Sequence, residues 1–498
     1  MDQPLTTKLS QELIDEIVDH MSDSKRDLDA CSKSHRAFLH RCQKHLFSVL
    51  YFSSDRNRIL PGFEGNCYQN SPRKDRTTRL LEIFQQSPHI ARYVYGLHLD
   101  ISSSDNDWVA EDSDFNLIMQ IITQSGSKIS YLKLRGYEFP EKLSNARSLE
   151  RNFLVPFISE TLTTLDVSRI LDLPMSLIAN SANLKHLHLH YTAPELYHDG
   201  VDEDLLKAFP NIQTLEIRPP DAMIGLLLGH DGFPETRSAT VYAVMTFCGV
   251  DSPAVADITS LKSFRTFNTP YYLTLAQAII DKAKVSLEEF YLCGESDEEF
   301  CQLVNSINLC ELSRLQRLYM DIVLPIDVDA IRDLSSVLLT VPDNNSLQHI
   351  SLQVFNGQYN RRSVPESINS PSWSLLDSQV AIIAQERPFT FHLHICHQPA
   401  EFSDSESDSD GFERCTVTRT PSSRNDEPES IIRLRACRSE REHEALLHKM
   451  CKSVYRTLLL ENMPKIMQSP NITVVSTYSI RTPYHYWAPR ERHVKNIL

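Results

Sequence analysis

The chain has 498 residues with a formal net charge of −15, 41% hydrophobic and 23% charged residues. These proportions exclude a chain that is unfolded throughout and leave room for a substantial core, as one large domain or a stack of similar units. The net negative charge argues against nucleic acid or an anionic membrane as the main partner. No uninterrupted apolar run is long enough to span a bilayer, and Met1 to Leu9 lacks the apolar run of a secretion signal, so a cytoplasmic or nuclear protein is expected. Eleven scattered cysteines without C-x-x-C pairs fit reduced thiols.

From Leu9, the apolar positions Leu13, Ile17 and Met21, widened by Ile14 and Val18, recur at helical spacing, and Ser10 can cap that helix. A second helix can start at Ser24, with Asp27 three residues on. Leu28, Cys31, His35, Phe38 or Leu39, Cys42 and Leu46 then carry a helical stripe. Two or three short helices are predicted over 1–52. A segment this short buries too little apolar surface alone, so its stripe packs on the rest of the chain or on another protein.

Leu9-Ser10-Gln11-Glu12-Leu13, Ile17, Leu28-Asp29-Ala30-Cys31-Ser32, Arg36-Ala37-Phe38 and His45-Leu46-Phe47 together resemble an F-box, especially that of the fungal F-box proteins. Ser10 stands where that family usually has proline, and Phe38 where tryptophan is common. The resemblance implies docking on a Skp-type adaptor and, through it, on cullin and RING subunits of an SCF ubiquitin ligase. This chain would be the non-enzymatic substrate receptor. By motif position, Leu9, Leu13, Ile17, Leu28, Cys31 and Phe38 are the candidates that form or support the adaptor interface.

Residues 53–78 read as a polar loop. Leu80-Leu81-Glu82-Ile83-Phe84 and Ser87-Pro88-His89-Ile90-Ala91-Arg92-Tyr93-Val94 again resemble the fungal family, in which such a segment leads into the first repeat strand, here ending Gly96-Leu97-His98-Leu99. An L-x-x-L-x-L type pattern returns at Ile129-Leu132-Leu134, Leu162-Leu165-Val167, Leu184-Leu187-Leu189, Ile212-Leu215-Ile217, Leu287-Phe290-Leu292, Leu315-Leu318-Met320 and Leu347-Ile350-Leu352. Most intervals are roughly 22 to 33 residues, the range of leucine-rich repeats. Thr240 to Thr246 and Leu261-Phe264 read as degraded units. Asn116 to Ile122, Leu275 to Lys284 and Val328 to Leu338 show helical spacing between strands. The predicted fold is α/β: an F-box-like helical module, then an irregular leucine-rich-repeat-like solenoid over 79–397.

Alternate strand residues face away from the leucines. Tyr131, Lys133, Arg135, Asp166, His186, His188, His190, Glu216, Arg218, Glu289, Tyr291, Arg317, Tyr319, Asp321 and His349 would then line the concave face of an arc, a surface for an unidentified protein target. The plain alternative is a solvated strand face. His186-x-His188-x-His190 has the spacing of metal ligands, as does His392-x-His394, yet no nearby carboxylate or cysteine completes a set in the linear sequence. Neither a metal nor a cofactor is therefore predicted.

No phosphate loop, nucleophile elbow or H-E-x-x-H helix occurs. Phe389 to Ile395 supplies a last strand, and 398–429 is an acidic, Ser-rich flexible segment in which Ser403, Ser405 and Ser407 match acidophilic kinase sites. The remainder, 430–498, reads as a helix and strand cap, with Ile472 to Val475 extended. Two other functions stay open: a repeat-based scaffold or inhibitor not coupled to ubiquitination, and a metal-dependent enzyme built on the histidines.

Overall fold

The computed structural model describes residues 10–52, 73–101, 108–136, 141–142, 149–173, 175–194, 210–218, 256–267, 270–293, 307–324, 330–356, 371–385, 387–397, 456, 458–480 and 495–496. Several predicted features lie outside these residues: Leu9, the strand-like Thr240 to Thr246, the segment 398–429 with its three serines, and much of the cap expected over 430–498. The chain is α/β, and it divides into two compact units, Met1–Phe290 and Tyr291–Leu498. Among the described residues, no helix is long and apolar enough to cross a membrane.

The first unit opens with three helices, α1 (Gln11–His20), α2 (Lys25–Ser34) and α3 (Arg36–Leu46). The predicted caps form: Ser10 Oγ accepts from Leu13 N at 3.4 Å and Ser24 Oγ from Asp27 N at 3.3 Å. Val18, Leu28 and Cys42, one from each helix, make a small buried core flanked by Met21, Cys31, Phe38 and Leu46. Asp19 ties α1 to α3, because Arg41 reaches both its oxygens at 2.6 and 2.5 Å and His45 Nε2 lies 2.7 Å from Oδ1.

The sheet of this unit starts earlier than the sequence suggests. Val49–Phe52 (β1) is already a strand, paired in parallel with Gly96–Ile101 (β2). Parallel pairing continues through β3 (Tyr131–Gly136), β4 (Thr164–Ser168), β5 (His186–His190), β6 (Thr214–Arg218) and β7 (Ser263–Phe267). Glu289–Cys293 (β8) spans the division between the units. Each strand buries alternate residues, such as Leu132 and Leu134, Leu165 and Val167, Leu187 and Leu189, and Leu215 and Ile217.

Helices cover the apolar side. Arg73–Gln86 (α4) starts inside the region read as loop, because its first turn is polar and only Thr77, Leu81 and Phe84 are buried. Ser113–Gln124 (α5), capped by Asp112, buries Phe115, Ile118, Met119 and Ile122 at helical spacing. Phe115 sits against Phe52, Trp108 and Phe153 at ring separations of 5.1 to 5.3 Å. Pro270–Ala283 (α6) follows β7.

Beyond the main strands, Glu141–Lys142, Ile170–Leu173 and Ala193–Pro194 form a second, three-stranded parallel sheet. Arg169 and Tyr191 step the chain out of β4 and β5 with φ of 58° and 52°. At the end of β3 the residue is Gly136, and a Cβ there would strike the Arg169 carbonyl.

The second unit pairs β9 (Arg317–Leu324), β10 (His349–Asn356), β11 (Phe389–His397) and β12 (Ile472–Ile480) in parallel, and Lys495–Asn496 (β13) runs antiparallel to β12. Ala330–Leu338 (α7) and Ser372–Ala384 (α8) pack side by side. Asp377 of α8 is buried and accepts from Lys465 N at 3.0 Å and Ile466 N at 2.8 Å, which caps the short helix Pro464–Gln468 (α9).

Candidate functional site

Two surfaces bring together the residues singled out from the sequence. The first is on α1. Leu13 and Ile17, four residues apart and so on one side of the helix, are 48% and 43% exposed, whereas Ile14 and Val18 turn inward. Leu39 of α3 is also exposed, at 38%. Of the other adaptor candidates, Cys31 and Phe38 are half-buried against the three-helix core, and the Cys31 thiol lies 3.9 Å from Met21 Sδ. Leu28 is fully buried. It cannot touch an adaptor, and its part is to hold the helices together. The N-terminal helices thus complete a core without using Leu13 and Ile17.

The second surface is the polar strand face of the first unit. Parallel register sets Tyr51, His98, Lys133, Asp166, His188, Glu216 and Arg265 side by side in one row. Rows above and below add Arg135, His190 and Arg218, and Tyr131 and His186. Polar partners meet along it: Lys133 Nζ is 2.6 Å from Asp166 Oδ2, and His98 Nε2 is 3.2 Å from Asp100 Oδ1. Tyr51 donates a short hydrogen bond to Asp100 Oδ2. Neither Tyr51 nor Asp100 stands out in the sequence, since β1 is only four residues long and follows directly on α3.

Burial shapes the electrostatics of this face. It pushes the Tyr131 hydroxyl up to about 12, helped by the nearby charges of Asp166 and Tyr95. Burial lowers His186 and His190, although Glu216 and Asp166 pull His190 the other way. For Glu216, burial alone would raise the carboxyl, but the His188 hydrogen bond and the charges of Arg265 and His190 outweigh it and hold the group below its ordinary value.

The histidine run looks different in three dimensions. His186 Nδ1 lies 3.0 Å from Thr214 Oγ1 and stands apart from its neighbours. A carboxylate does stand beside the run in the fold, because Glu216 of β6 faces His188 and His190. One ligand atom from each of these three residues lies within 4.8 Å of the others. The linear sequence hides this, since Glu216 is 28 residues from His188 and reaches it only through strand pairing. The second pair, His392 and His394, is engaged with Thr477 Oγ1 at 3.2 and 2.6 Å.

In the second unit, Tyr291 and Tyr319 stack with centroids 4.1 Å apart and planes at 2°, and Tyr319 meets His349 at 5.3 Å. Arg317 and Asp321 share the β9 strand with Tyr319. Comparison with protein-family models finds no match, and a search of curated proteins finds none either.

Proposed function

We propose that this chain is the substrate-recognition subunit of an SCF-type ubiquitin ligase. In this reading α1 to α3 are the F-box module, and the repeated strands and helices are an irregular leucine-rich-repeat-like solenoid that captures a protein target. The observation that carries it is the pair Leu13 and Ile17: both are exposed at motif positions on helices whose own core is already filled by Val18, Leu28 and Cys42. An exposed apolar pair over a closed core suits a partner helix or groove.

The recurring parallel strands, with leucines inward and a charged, aromatic face outward, support the target-binding half of the reading. Lys133, Asp166, Glu216 and the stacked Tyr291 and Tyr319 are the contacts of greatest interest on the two units. Adaptor binding would place the chain in the cytoplasm or nucleus. Ubiquitin transfer would belong to the cullin and RING partners, with this subunit raising the local concentration of its target. Phosphorylation at Ser403, Ser405 and Ser407 would add about −1.5 to −2 charge per site and regulate the assembly.

Co-expression with a Skp-type adaptor and co-purification of a stoichiometric complex is the direct test. A chain that remains alone through gel filtration at micromolar adaptor concentration would refute the docking half. With the complex in hand, proximity labelling under proteasome inhibition identifies targets that accumulate only with the parent chain.

A further inference from the structure

One cluster on the polar strand face of the first unit has a chemistry that contact with a protein target would not by itself require. His188 and His190 stand two residues apart on β5, so both rings leave the same side of the strand. Parallel register puts Glu216 directly across from His188. Its carboxylate divides between the two imidazoles, with Oε2 3.3 Å from His188 Nδ1 and Oε1 3.4 Å from His190 Nε2.

These spans match a metal site. Zinc holds nitrogen and oxygen ligands at about 2.0–2.2 Å in tetrahedral array, which sets any two of its ligand atoms about 3.3 Å apart. Each histidine already has that span to one oxygen of the carboxylate, and a set with one atom from each residue lies within 4.8 Å, so side-chain rotation has to close the remaining distance around the ion. We infer that His188, His190 and Glu216 bind a divalent transition-metal ion of the zinc class, leaving a coordination position toward solvent for water or an anionic group.

The donor set selects the ion. Two imidazoles and one carboxylate suit zinc and its first-row neighbours, whereas calcium and magnesium take oxygen ligands. The side chains are 30%, 24% and 16% exposed, so an ion reaches them from solution yet is partly shielded once bound. Asp166, the other cross-strand neighbour of His188, adds a second negative charge nearby. Its Oδ2 is held by Lys133, while its buried Oδ1 has no hydrogen-bond partner among the described residues.

Two cations border the cluster. Arg265 Nε is 3.7 Å from Glu216 Oε1, an ion-pair distance, and its 47% exposed side chain can swing toward solvent as an ion enters. The Arg218 guanidinium lies over the rings of Tyr191 and Phe267 at 5.1 and 5.3 Å. The site stands on these atoms alone, whether or not the N-terminal helices dock an adaptor.

The test is zinc titration by calorimetry of the full-length, chelator-stripped chain, with cobalt as an optical probe. The parent should bind one zinc at this site with micromolar or tighter affinity and show cobalt bands of four- or five-coordinate geometry. Changes around a ligand alone cost about 10- to 100-fold in affinity, so His188→Gln, His190→Gln and Glu216→Gln should each weaken this binding by about 100-fold or more. His186→Gln, one pleat away, should leave it within twofold. Any weak sites elsewhere appear in all four variants and cancel. Should a ligand variant fail to fold by circular dichroism, zinc protection of His188 and His190 in the parent against diethyl pyrocarbonate, read by mass spectrometry, replaces it. The inference is overturned if the parent takes up no zinc at micromolar concentration, if His186→Gln loses as much affinity as His190→Gln, or if zinc leaves both histidines equally reactive.

Discussion

Replacing Leu13 and Ile17 together by alanine separates docking from folding. Full burial of a leucine or isoleucine side chain stabilises by about 1.5–3 kcal/mol. With 48% and 43% of these residues still exposed, nearly half of that gain waits for a partner, or about 1 kcal/mol each. The double variant should therefore bind a Skp-type adaptor about 2 kcal/mol more weakly, roughly 30-fold in Kd. The half of each side chain already buried contributes about 1 kcal/mol to the fold, so the double variant should melt lower by a corresponding, modest amount yet stay folded. Leu28→Ala is the contrast. It opens a cavity in the three-helix core and should cost about 2–5 kcal/mol of stability, with adaptor binding lost through unfolding. Surface plasmon resonance for affinity and calorimetry for melting read both quantities. If the double variant is folded and binds the adaptor within threefold of the parent, the exposed pair is not the docking seam.

Other consequences follow from specific contacts. The Asp19 carboxylate is held well below its ordinary value by Arg41 and then His45, so the stability it confers is present above about pH 4 and is lost as pH falls further. Acid titration by circular dichroism should show helix loss in that window for the parent, with a weaker acid dependence for Asp19→Asn. Gly136→Ala would drive a methyl into the Arg169 carbonyl, a rigid backbone neighbour, and thermal melting should show a loss of about 1–3 kcal/mol or more. Asp377→Ala leaves the buried Ile466 amide and the part-buried Lys465 amide of the α9 cap without this acceptor and should destabilise the second unit by about 1–3 kcal/mol, whereas Asp377→Asn, which keeps one carbonyl acceptor, should cost less by denaturant titration.

The leucine pattern in the linear chain carries most of the strand positions, since Leu132, Leu165, Leu187, Leu215, Leu318 and Ile350 are all buried as their spacing requires. The caps at Ser10 and Ser24 are equally legible, because each depends on contacts within four residues. What escapes is whatever depends on distant partners. A helical stripe shows that Leu13 and Leu28 are both apolar, but not that Leu28 fills a core made with Val18 and Cys42 while Leu13 stays outside it. The polar first turn of α4 hides its start, with Thr77 as its first buried residue. Most telling is Glu216: alternation puts it on the polar face, yet only the pairing of β5 with β6 reveals which histidines it meets.

The register of the polar row has an immunological and evolutionary corollary. Tyr51, His98, Lys133, Asp166, His188, Glu216 and Arg265 are neighbours drawn from seven separate segments, so no continuous peptide of this chain reproduces more than one square of that mosaic. An antibody raised against it in the native protein would lose its epitope on denaturation. By the same geometry a single codon change exchanges one square and leaves the connecting loops untouched, so recognition can drift while the scaffold stays the same.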